Sequence, residues 1–385
     1  MLHDVAIVGA GPVGATLALA MAEGDLDTVV LDARAPNATL RGDRSLALSH
    51  GARLIFDRLG VWDHLAAIPD AATPIVRIDV SQAGGFGGAM LDAEALGIPA
   101  LGYVVSYRAL QGALDATLAD RGVVVQHGMT VRSVGGTPAY AAVTFDGPDA
   151  LPLLARLAAV ADGTGAAGAG IARRRHDYEQ VALIAKVACA QPHGGLAFER
   201  FTPDGPMAML PEGDHYALVW TMEAARAEAL LTLDDGAFIA RLTRHFGPRC
   251  GGFERVAERR TFPLVLEYAV HPIDTRCVML GNAAQTLHPV AGQGFNVGLR
   301  DAWVLAQAIL DAPRERIGEP AMLAGYARAR LPDRWAGIVF THGLVHLFGN
   351  DQPMLRWPRG LALTLLDALL PLKNAFTRTM MFGLR

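Results

Sequence analysis

The sequence predicts an α/β fold in which an inserted, mostly antiparallel β-sheet interrupts a nucleotide-binding domain and a helical segment closes the chain. Three stretches predict it. At the N-terminus the apolar run Val5-Ala6-Ile7-Val8 meets Gly9-Ala10-Gly11-Pro12-Val13-Gly14, followed by a helix of small and apolar residues and a second apolar run that ends on Asp32. Far downstream, Val278-Met279-Leu280 enters Gly281-Asn282, crosses a Pro/Gly loop from His288 to Gly294, and leaves in helical period through Val297, Leu299, Trp303, Leu305 and Ile309. Between them, from Val181 to Trp220, apolar and polar residues alternate in short runs separated by turn signals, as antiparallel strands do.

A chain of 385 residues exceeds the usual single domain and has ample length for a large core. The boundaries suggested by these patterns are 1–70 with 100–170 and 271–320 for the nucleotide-binding domain, 71–99 with 171–270 for the β-sheet domain, and 321–385 for the helical segment. A net charge of -4 supplies no basic field for nucleic acid, so a nucleic-acid partner is excluded. The three cysteines, Cys189, Cys250 and Cys277, are widely spaced and form no CxxC pair, which suggests neither a disulfide framework nor a metal site. No Ser/His/Asp set or HExxH motif occurs, and no metal is expected. The apolar N-terminus lacks a basic lead, so no signal peptide is expected and a reducing cytoplasm fits best.

In the first turn each glycine has its own task. Gly9 permits the tight turn, Gly11 the close pass of a pyrophosphate, and Gly14 the packing of helix on strand, while Asp32 can accept from both ribose hydroxyls of an adenosine. The alternative is a glycine-rich turn with Asp32 as a solvated strand end; the strand-turn-helix context favours the dinucleotide. The motif itself does not separate FAD from a nicotinamide nucleotide. A nicotinamide enzyme usually completes its nucleotide fold within roughly the next hundred residues. Here the Gly281 stretch must return to the same sheet from far downstream, which a long, two-ended cofactor such as FAD requires. No second GxGxxG follows a strand.

Arg41 and Arg44, after the second strand, either neutralise a pyrophosphate or form a solvated pair. His50 to Leu59 reads as an amphipathic helix stopped by Gly60, Ile75 to Val80 as a strand, and Gly84 to Gly88 as a turn. Tyr107 opens a helix running to about Ala119, on which Arg108 either reaches the cofactor or stands exposed. Val123-Val124-Val125 reads as a buried strand. Leu157 to Val160 leads into Ala161-Asp162-Gly163-Thr164-Gly165, again an acid and a glycine at a strand end. Arg173-Arg174-Arg175 reads as a solvated face. The predicted strands Val181–Val187, Ala197–Phe201, Met207–Leu210 and Tyr216–Trp220 roof the reacting end of the cofactor. Helices are expected from Glu223 to Leu231 and from Gly236 to Phe246.

In the late stretch Gly292 and Gly294 remove side chains where a planar ligand approaches the main chain, and the next helix start favours negative charge. The plainer reading is a loop that needs glycine for its turns. His271 and His288 fit structural roles more readily than ligand roles. From Trp335 onward the chain turns basic, with Arg356, Arg359, Lys373, Arg378 and Arg385 against Asp351 and Asp367. Asp367 and Pro371 interrupt its apolar run, which is too short to span a bilayer. Such a helix packs on the body or a partner subunit, or lies on a membrane surface.

Taken together, GAGPVG with Asp32, RSLALSHG at Arg44, ADGT at Asp162, YEQVALIAKV and AFERFTPDGPMAMLP between Tyr178 and Pro211, and GNAAQTLHPVAGQGFNVGLRD resemble the ubiquinone-biosynthesis hydroxylases. These are FAD-dependent aromatic monooxygenases related to para-hydroxybenzoate hydroxylase. Asn282, Gln285 and AFERFT resemble most the 2-octaprenyl-6-methoxyphenol hydroxylase branch; sister enzymes usually carry Asp and His at the first two positions. The resemblance implies a Rossmann-like FAD-binding domain in which Gly9, Gly11, Gly14 and Asp32 hold the ADP half. Arg44 and Arg108 would lie near the pyrophosphate and ribityl chain, and Asn282, after Gly281, would meet the ribityl hydroxyls. His288, Pro289, Gly292, Gln293, Gly294, Phe295 and Asn296 would line the flavin ring, with backbone N–H groups of this loop directed to its N1/C2 edge. Asp162 would belong to a turn serving FAD and reductant, although Ala166 replaces the Ser often found there. The activity implied is reduction of FAD by NAD(P)H, capture of O2 as a flavin hydroperoxide, and transfer of one oxygen to a prenylated phenol. Implied partners are other quinone-biosynthesis proteins and the inner face of the cytoplasmic membrane. The alternatives are a monooxygenase of a soluble phenolic compound and a non-catalytic flavoprotein scaffold.

Overall fold

Apolar runs buried on both faces form parallel strands, and the first sheet is built from them. The computed structural model describes residues 1–36, 38, 43–146, 151–168, 170–348 and 352–384. Leu2–Val8 lies between Leu153–Val160 and Thr28–Asp32, parallel to both. Cys277–Met279 extends the sheet beside Leu153–Val160, and Val125–His127 extends it beside Thr28–Asp32, again in parallel. Because these strands run one way, their carboxyl ends fall on one edge, and that edge carries Gly9, Asp32, Asp162 and Gly281.

Helices Pro12–Met21, Tyr107–Asp120 and Gln293–Leu310 cover one face, where Leu17, Leu114 and Leu305 join Val5, Ile7 and Val30 in a common core. The other face is covered by the hairpin Val131–Gly136 and Ala141–Phe145, with Val143 against Val8 and Leu31. The sequence pattern predicts no strands there. It also expects a buried strand at Val123–Val125, whereas Val124 is 76% exposed and the strand runs Val125–His127. Two apolar residues ahead of that strand serve as its connection from the helix.

The second sheet has eight strands in the order Gln285–Thr286, Phe253–Ala269, Arg173–Cys189, His215–Glu223, Gly205–Glu212, Leu196–Thr202, Arg77–Gln82 and Gly88–Asp92. Its pairings are antiparallel except between Leu196–Thr202 and Arg77–Gln82. Helix Asp235–Phe246 closes its far side, burying Phe238, Leu242 and Phe246 against Met207, Leu218 and Trp220. The predicted strand Ile75–Val80 is divided. Ala72–Ile75 belongs to a small three-stranded sheet with Ser45–Ser49 and Gly102–Ser106, and the chain crosses to the large sheet at Val76, whose N–H donates to Gly195 O.

Helix His50–Leu59 begins where Ser49 Oγ accepts from Ala52 N–H and ends on Gly60 in the left-handed region. Three helices finish the chain: Pro320–Phe348, Pro353–Ala368 and Leu370–Phe382. The apolar tail packs on one side, Leu363 beside Phe201, Val290, Val345 and Phe348, and Met381 beside Leu91 and Leu101. On the other side Trp357, Leu361, Leu365, Leu370 and Leu372 are exposed. Among the described residues no helix is long and apolar enough to cross a membrane. Arg41, Asp351 and Arg385 lie outside the described residues.

Candidate functional site

A cavity of about 480 Å³ runs along the carboxyl edge of the parallel sheet. Its walls include Gly9, Gly11, Asp32 and Arg44 at one end, Asp162 and Gly163 in the middle, and Gly281, Asn282, Gly294 and Phe295 toward the late loop. The two distant glycine turns therefore share one cavity. The late turn is packed closely within itself and onto the first: a Cβ at Gly298 would come 2.8 Å from Gly281 Cα, and one at Gly281 would meet the Val13 side chain at 2.9 Å. Gly281 also has φ +57, and Gly9 has φ +99 with Ala161 O 2.6 Å from where its Cβ would stand. Neither position accepts a side chain without local movement. At Gly14 the added atom would collide with the Gly9 carbonyl.

Gly11 and Gly294 differ in kind. A Cβ at Gly11 meets nothing within 4 Å, and one at Gly294 makes ordinary contact with Leu287 at 3.6 Å. Their missing side chains leave space in the cavity rather than relieve a clash. A cradle that side chains would fill, a buried acid at the strand end and a helix start at the opposite wall fit an extended anionic dinucleotide such as FAD.

Asp32 is 5% exposed, and its carboxylate accepts from Ala10 N–H at 2.7 Å and from Arg34 N–H and Nε at 2.7 and 3.0 Å. Arg34 also donates to Ala10 O at 3.1 Å and lines the cavity. Arg34 is not among the residues expected from the sequence, although its place two residues after the strand-end acid is the available signal. Arg44 lines the cavity with its guanidinium 4.8 Å from the Tyr107 ring centroid. Arg108 is exposed and off the cavity wall, and its backbone N–H donates to Asp43 Oδ1 at 3.2 Å. The Asp162 carboxylate accepts from Thr164, Gly165 and Ala167 N–H at 3.1, 2.6 and 3.2 Å, so it shapes its own turn beside Gly163.

Four other residues named from the late loop, with Gln293, stand outside the cavity wall. Gly292 has φ +59 and caps helix Gln293–Leu310. Gln293 is 8% exposed, and Pro289 is exposed. Asn296 is 3% exposed; its Oδ1 accepts from Ser49 N–H at 2.8 Å and its Nδ2 donates to Ala47 O and Gly292 O at 3.0 and 2.8 Å. That side chain ties the loop to strand Ser45–Ser49. His288 is 1% exposed, and its Nδ1 accepts from Val290 N–H at 3.2 Å. A backbone N–H can only donate, so the neutral ring carries its proton on Nε2, which has no hydrogen-bond partner among the described residues. Burial pushes this imidazole down to about 4.

Behind the late turn lies a buried polar network that no motif in the sequence announces. Gln285 donates to Asp301 at 2.8 Å and accepts from Arg334 Nε at 2.8 Å. Arg330 bridges Asp301 and Asp333 at 2.7 and 2.6 Å, and Arg300 donates to Asp333 at 2.7 and 3.1 Å. Burial opposes the Asp333 charge, but these arginines outweigh it and hold its carboxyl below the usual range. The network fastens the Gly281–Gln285 turn to helix Pro320–Phe348.

Fold and cavity together define a flavoprotein with a dinucleotide-binding sheet and a second sheet beside the reacting end. Comparisons with known proteins specify it further. Residues 3–341 match the family described as FAD binding domain. A ubiquinone hydroxylase, UbiL, of Rhodospirillum rubrum is 36% identical, covering 99% of this chain and 90% of its own. The 3-demethoxyubiquinol 3-hydroxylase of Escherichia coli is 31% identical, covering 94% of this chain and 93% of its own. The crystal structure of p-nitrophenol 4-monooxygenase PnpA from Pseudomonas putida superposes with a TM-score of 0.77 at 17% identity, over 100% of this chain and 99% of that one. The chain belongs to the ubiquinone-hydroxylase family of FAD-dependent aromatic-ring monooxygenases.

Proposed function

We propose that this enzyme hydroxylates the electron-rich ring of a prenylated phenol, with FAD in the shared cavity, O2 as co-substrate and NAD(P)H as reductant. What supports the prenyl group is the exposed apolar face of the C-terminal helices, Trp357, Leu361, Leu365, Leu370 and Leu372, next to a packed apolar seam where Val290 of the late loop meets Phe201, Val345, Phe348 and Leu363. Phe201 and Phe348 stack there at 4.0 Å between centroids. The seam is packed shut between the large sheet, the loop and the C-terminal helices, and the exposed apolar face of those helices offers an isoprenoid tail its contact surface. The branch of relatives that act on 2-octaprenyl-6-methoxyphenol remains our reading of the substrate class.

When bound, FAD supplies two-electron reduction and activation of O2. In this reading Gly9, Gly11, Gly14 and Asp32 hold its ADP half, with Arg34 orienting Asp32 and Arg44 neutralising the pyrophosphate. Gly281, Asn282, Gly294 and Phe295 meet its ribityl and ring end, where the first-turn N–H groups of helix Gln293–Leu310 stabilise negative charge. Asn296, Gly292 and Gln293 position that turn. His288 stays neutral and buried off the cavity wall, where its Nδ1 accepts from Val290 N–H and holds the loop. The hydrophobic seam excludes water from the reacting ring. The division into 1–70 with 100–170 and 271–320, 71–99 with 171–270, and 321–385 follows the same roles.

We also infer a peripheral position on the inner face of the cytoplasmic membrane. Trp357, Leu361, Leu365, Leu370 and Leu372 form the exposed apolar face, with Lys373 nearby. Anionic-liposome flotation tests this: retention of wild-type binding by the Trp357→Ser/Leu361→Ser/Leu365→Ser variant contradicts it. A variant lost from quinone-biosynthesis assemblies but not from liposomes assigns that face to protein partners instead.

The activity is tested with 18O2, NADH or NADPH, and a prenylated phenol beside its unprenylated counterpart. Incorporation of one 18O into the prenylated ring is expected. Turnover of only the unprenylated compound supports a soluble phenolic substrate, and flavin oxidation without labelled product supports a scaffold.

A further inference from the structure

Three of the chain's 12 histidines converge outside the cofactor cavity, although one comes from the large sheet and two from the long C-terminal helix. His176 belongs to strand Arg173–Cys189, and His342 and His346 stand one turn apart on helix Pro320–Phe348. One nitrogen from each lies within 4.8 Å of the others. We propose that His176, His342 and His346 form a binding site for a divalent transition-metal ion of the zinc type.

The chemistry fits imidazole-loving metals. Zinc takes histidine nitrogens at about 2.0–2.1 Å in tetrahedral sites, and sites with three protein ligands leave the fourth position to water. Tetrahedral geometry at that bond length sets the nitrogens roughly 3.4 Å apart, so closure requires the partly exposed rings to turn inward by about an ångström. The surroundings prepare the ligands. His346 Nδ1 lies 2.9 Å from His342 O, and because a carbonyl only accepts, the proton sits on Nδ1 and the Nε2 lone pair serves a metal. His342 Nδ1 lies 3.0 Å from Tyr178 OH, which orients that ring as outer-shell partners of metal-bound histidines do.

The ion ties the large sheet to the helix that flanks the apolar seam. Tyr178 also sets its ring edge-on to His288, 5.3 Å between centroids, and His288 accepts from Val290 in the late loop. The site thus joins a continuous packed path to the loop without using any residue of the cofactor cavity. Its role is a staple between sheet and helix.

The test uses the FAD-loaded full chain without an affinity tag, stripped with chelator and dialysed against zinc. One equivalent is expected to bind and to raise the thermal midpoint. His176→Ala and His346→Ala are each expected to weaken zinc at least tenfold and abolish the rise, with FAD content and far-ultraviolet dichroism unchanged. Tyr178→Phe is expected to retain the stoichiometry with affinity lowered about tenfold. Cobalt is expected to give the visible absorption of a tetrahedral site in the wild type and not in His346→Ala. Failure of the wild type to retain zinc, or unchanged affinity in His176→Ala, overturns the proposal.

Discussion

Replacing Asp301 with Asn removes one charge from the centre of the buried network and leaves its shape intact. Asp301 is 3% exposed and accepts from Gln285 and Arg330 at 2.8 and 2.7 Å. In the wild type Asp333 faces Arg300 and Arg330 while Asp301 faces Arg330 and Arg334; in the variant Arg330 keeps only Asp333, and Arg334 loses its acidic neighbour. Breaking a buried pair by removing one partner costs about 3–5 kcal/mol, and the retained amide oxygen puts this change near the lower end. With an unfolding entropy of about 2.1 cal/mol/K per residue, the whole chain gives roughly 0.8 kcal/mol/K, so about 3 kcal/mol lowers the thermal midpoint by about 4 °C. Calorimetry on FAD-saturated protein reads this directly. Arg132→Ala provides the control, because its pair with Asp146 at 2.9 Å is largely exposed and such pairs contribute about 1 kcal/mol or less. Since Gln285 belongs to the turn bearing Asn282, Asp301→Asn is also expected to release FAD faster. A midpoint within about 1 °C of wild type, no larger than the control's change, would refute the assignment of this network as the fastening of the late turn.

Other consequences follow from the loop and the first turn. His288 is held at about 4 by burial, below its ordinary value near 6.5. Its contribution is therefore complete above about pH 6.5 and is lost as pH falls toward 4, reaching a loss of about 2 kcal/mol at pH 5. Urea unfolding of wild type and His288→Asn between pH 5 and 7.5 is expected to show a shallower pH slope in the variant; equal slopes count against the buried neutral imidazole. Asn296→Ala leaves the buried Ser49 N–H unpaired and is expected to cost about 1–3 kcal/mol and weaken FAD binding. Parallel unfolding and FAD titrations check it, and wild-type values in both contradict its positioning role. Gly14→Val is expected to yield insoluble protein, because its Cβ collides with a backbone carbonyl that cannot yield cheaply.

The parallel sheet was legible because its strands are continuous apolar runs ending on Gly9, Asp32, Asp162 and Gly281. Hairpin 131–145 was not, since short pairs bearing Gly135, Gly136 and Pro138 carry weak strand periodicity. Phe253–Ala269 escaped notice because Glu254, Glu258, Arg259 and Arg260 interrupt its apolar pattern, while its hydrogen bonds with Arg173–Cys189 hold it in the sheet. The pairing of Gly9 with Gly281 across the sequence followed from motif context. The network around Asp301 and the histidines at 176, 342 and 346 depend on how helix Pro320–Phe348 packs, and no spacing within one element encodes that contact. Arg108 illustrates the reverse: it stands exposed on the helix start, off the cavity wall that its neighbour Tyr107 lines.

FAD titration of Gly11→Leu and Gly294→Leu, followed by flavin fluorescence, tests the shared cradle most directly. Neither added side chain meets an obstacle at its Cβ, so both variants are expected to fold like wild type while filling the cavity from opposite ends. The account predicts that each loses more than about tenfold in FAD affinity, at least 1.4 kcal/mol. Wild-type affinity in either variant would contradict it.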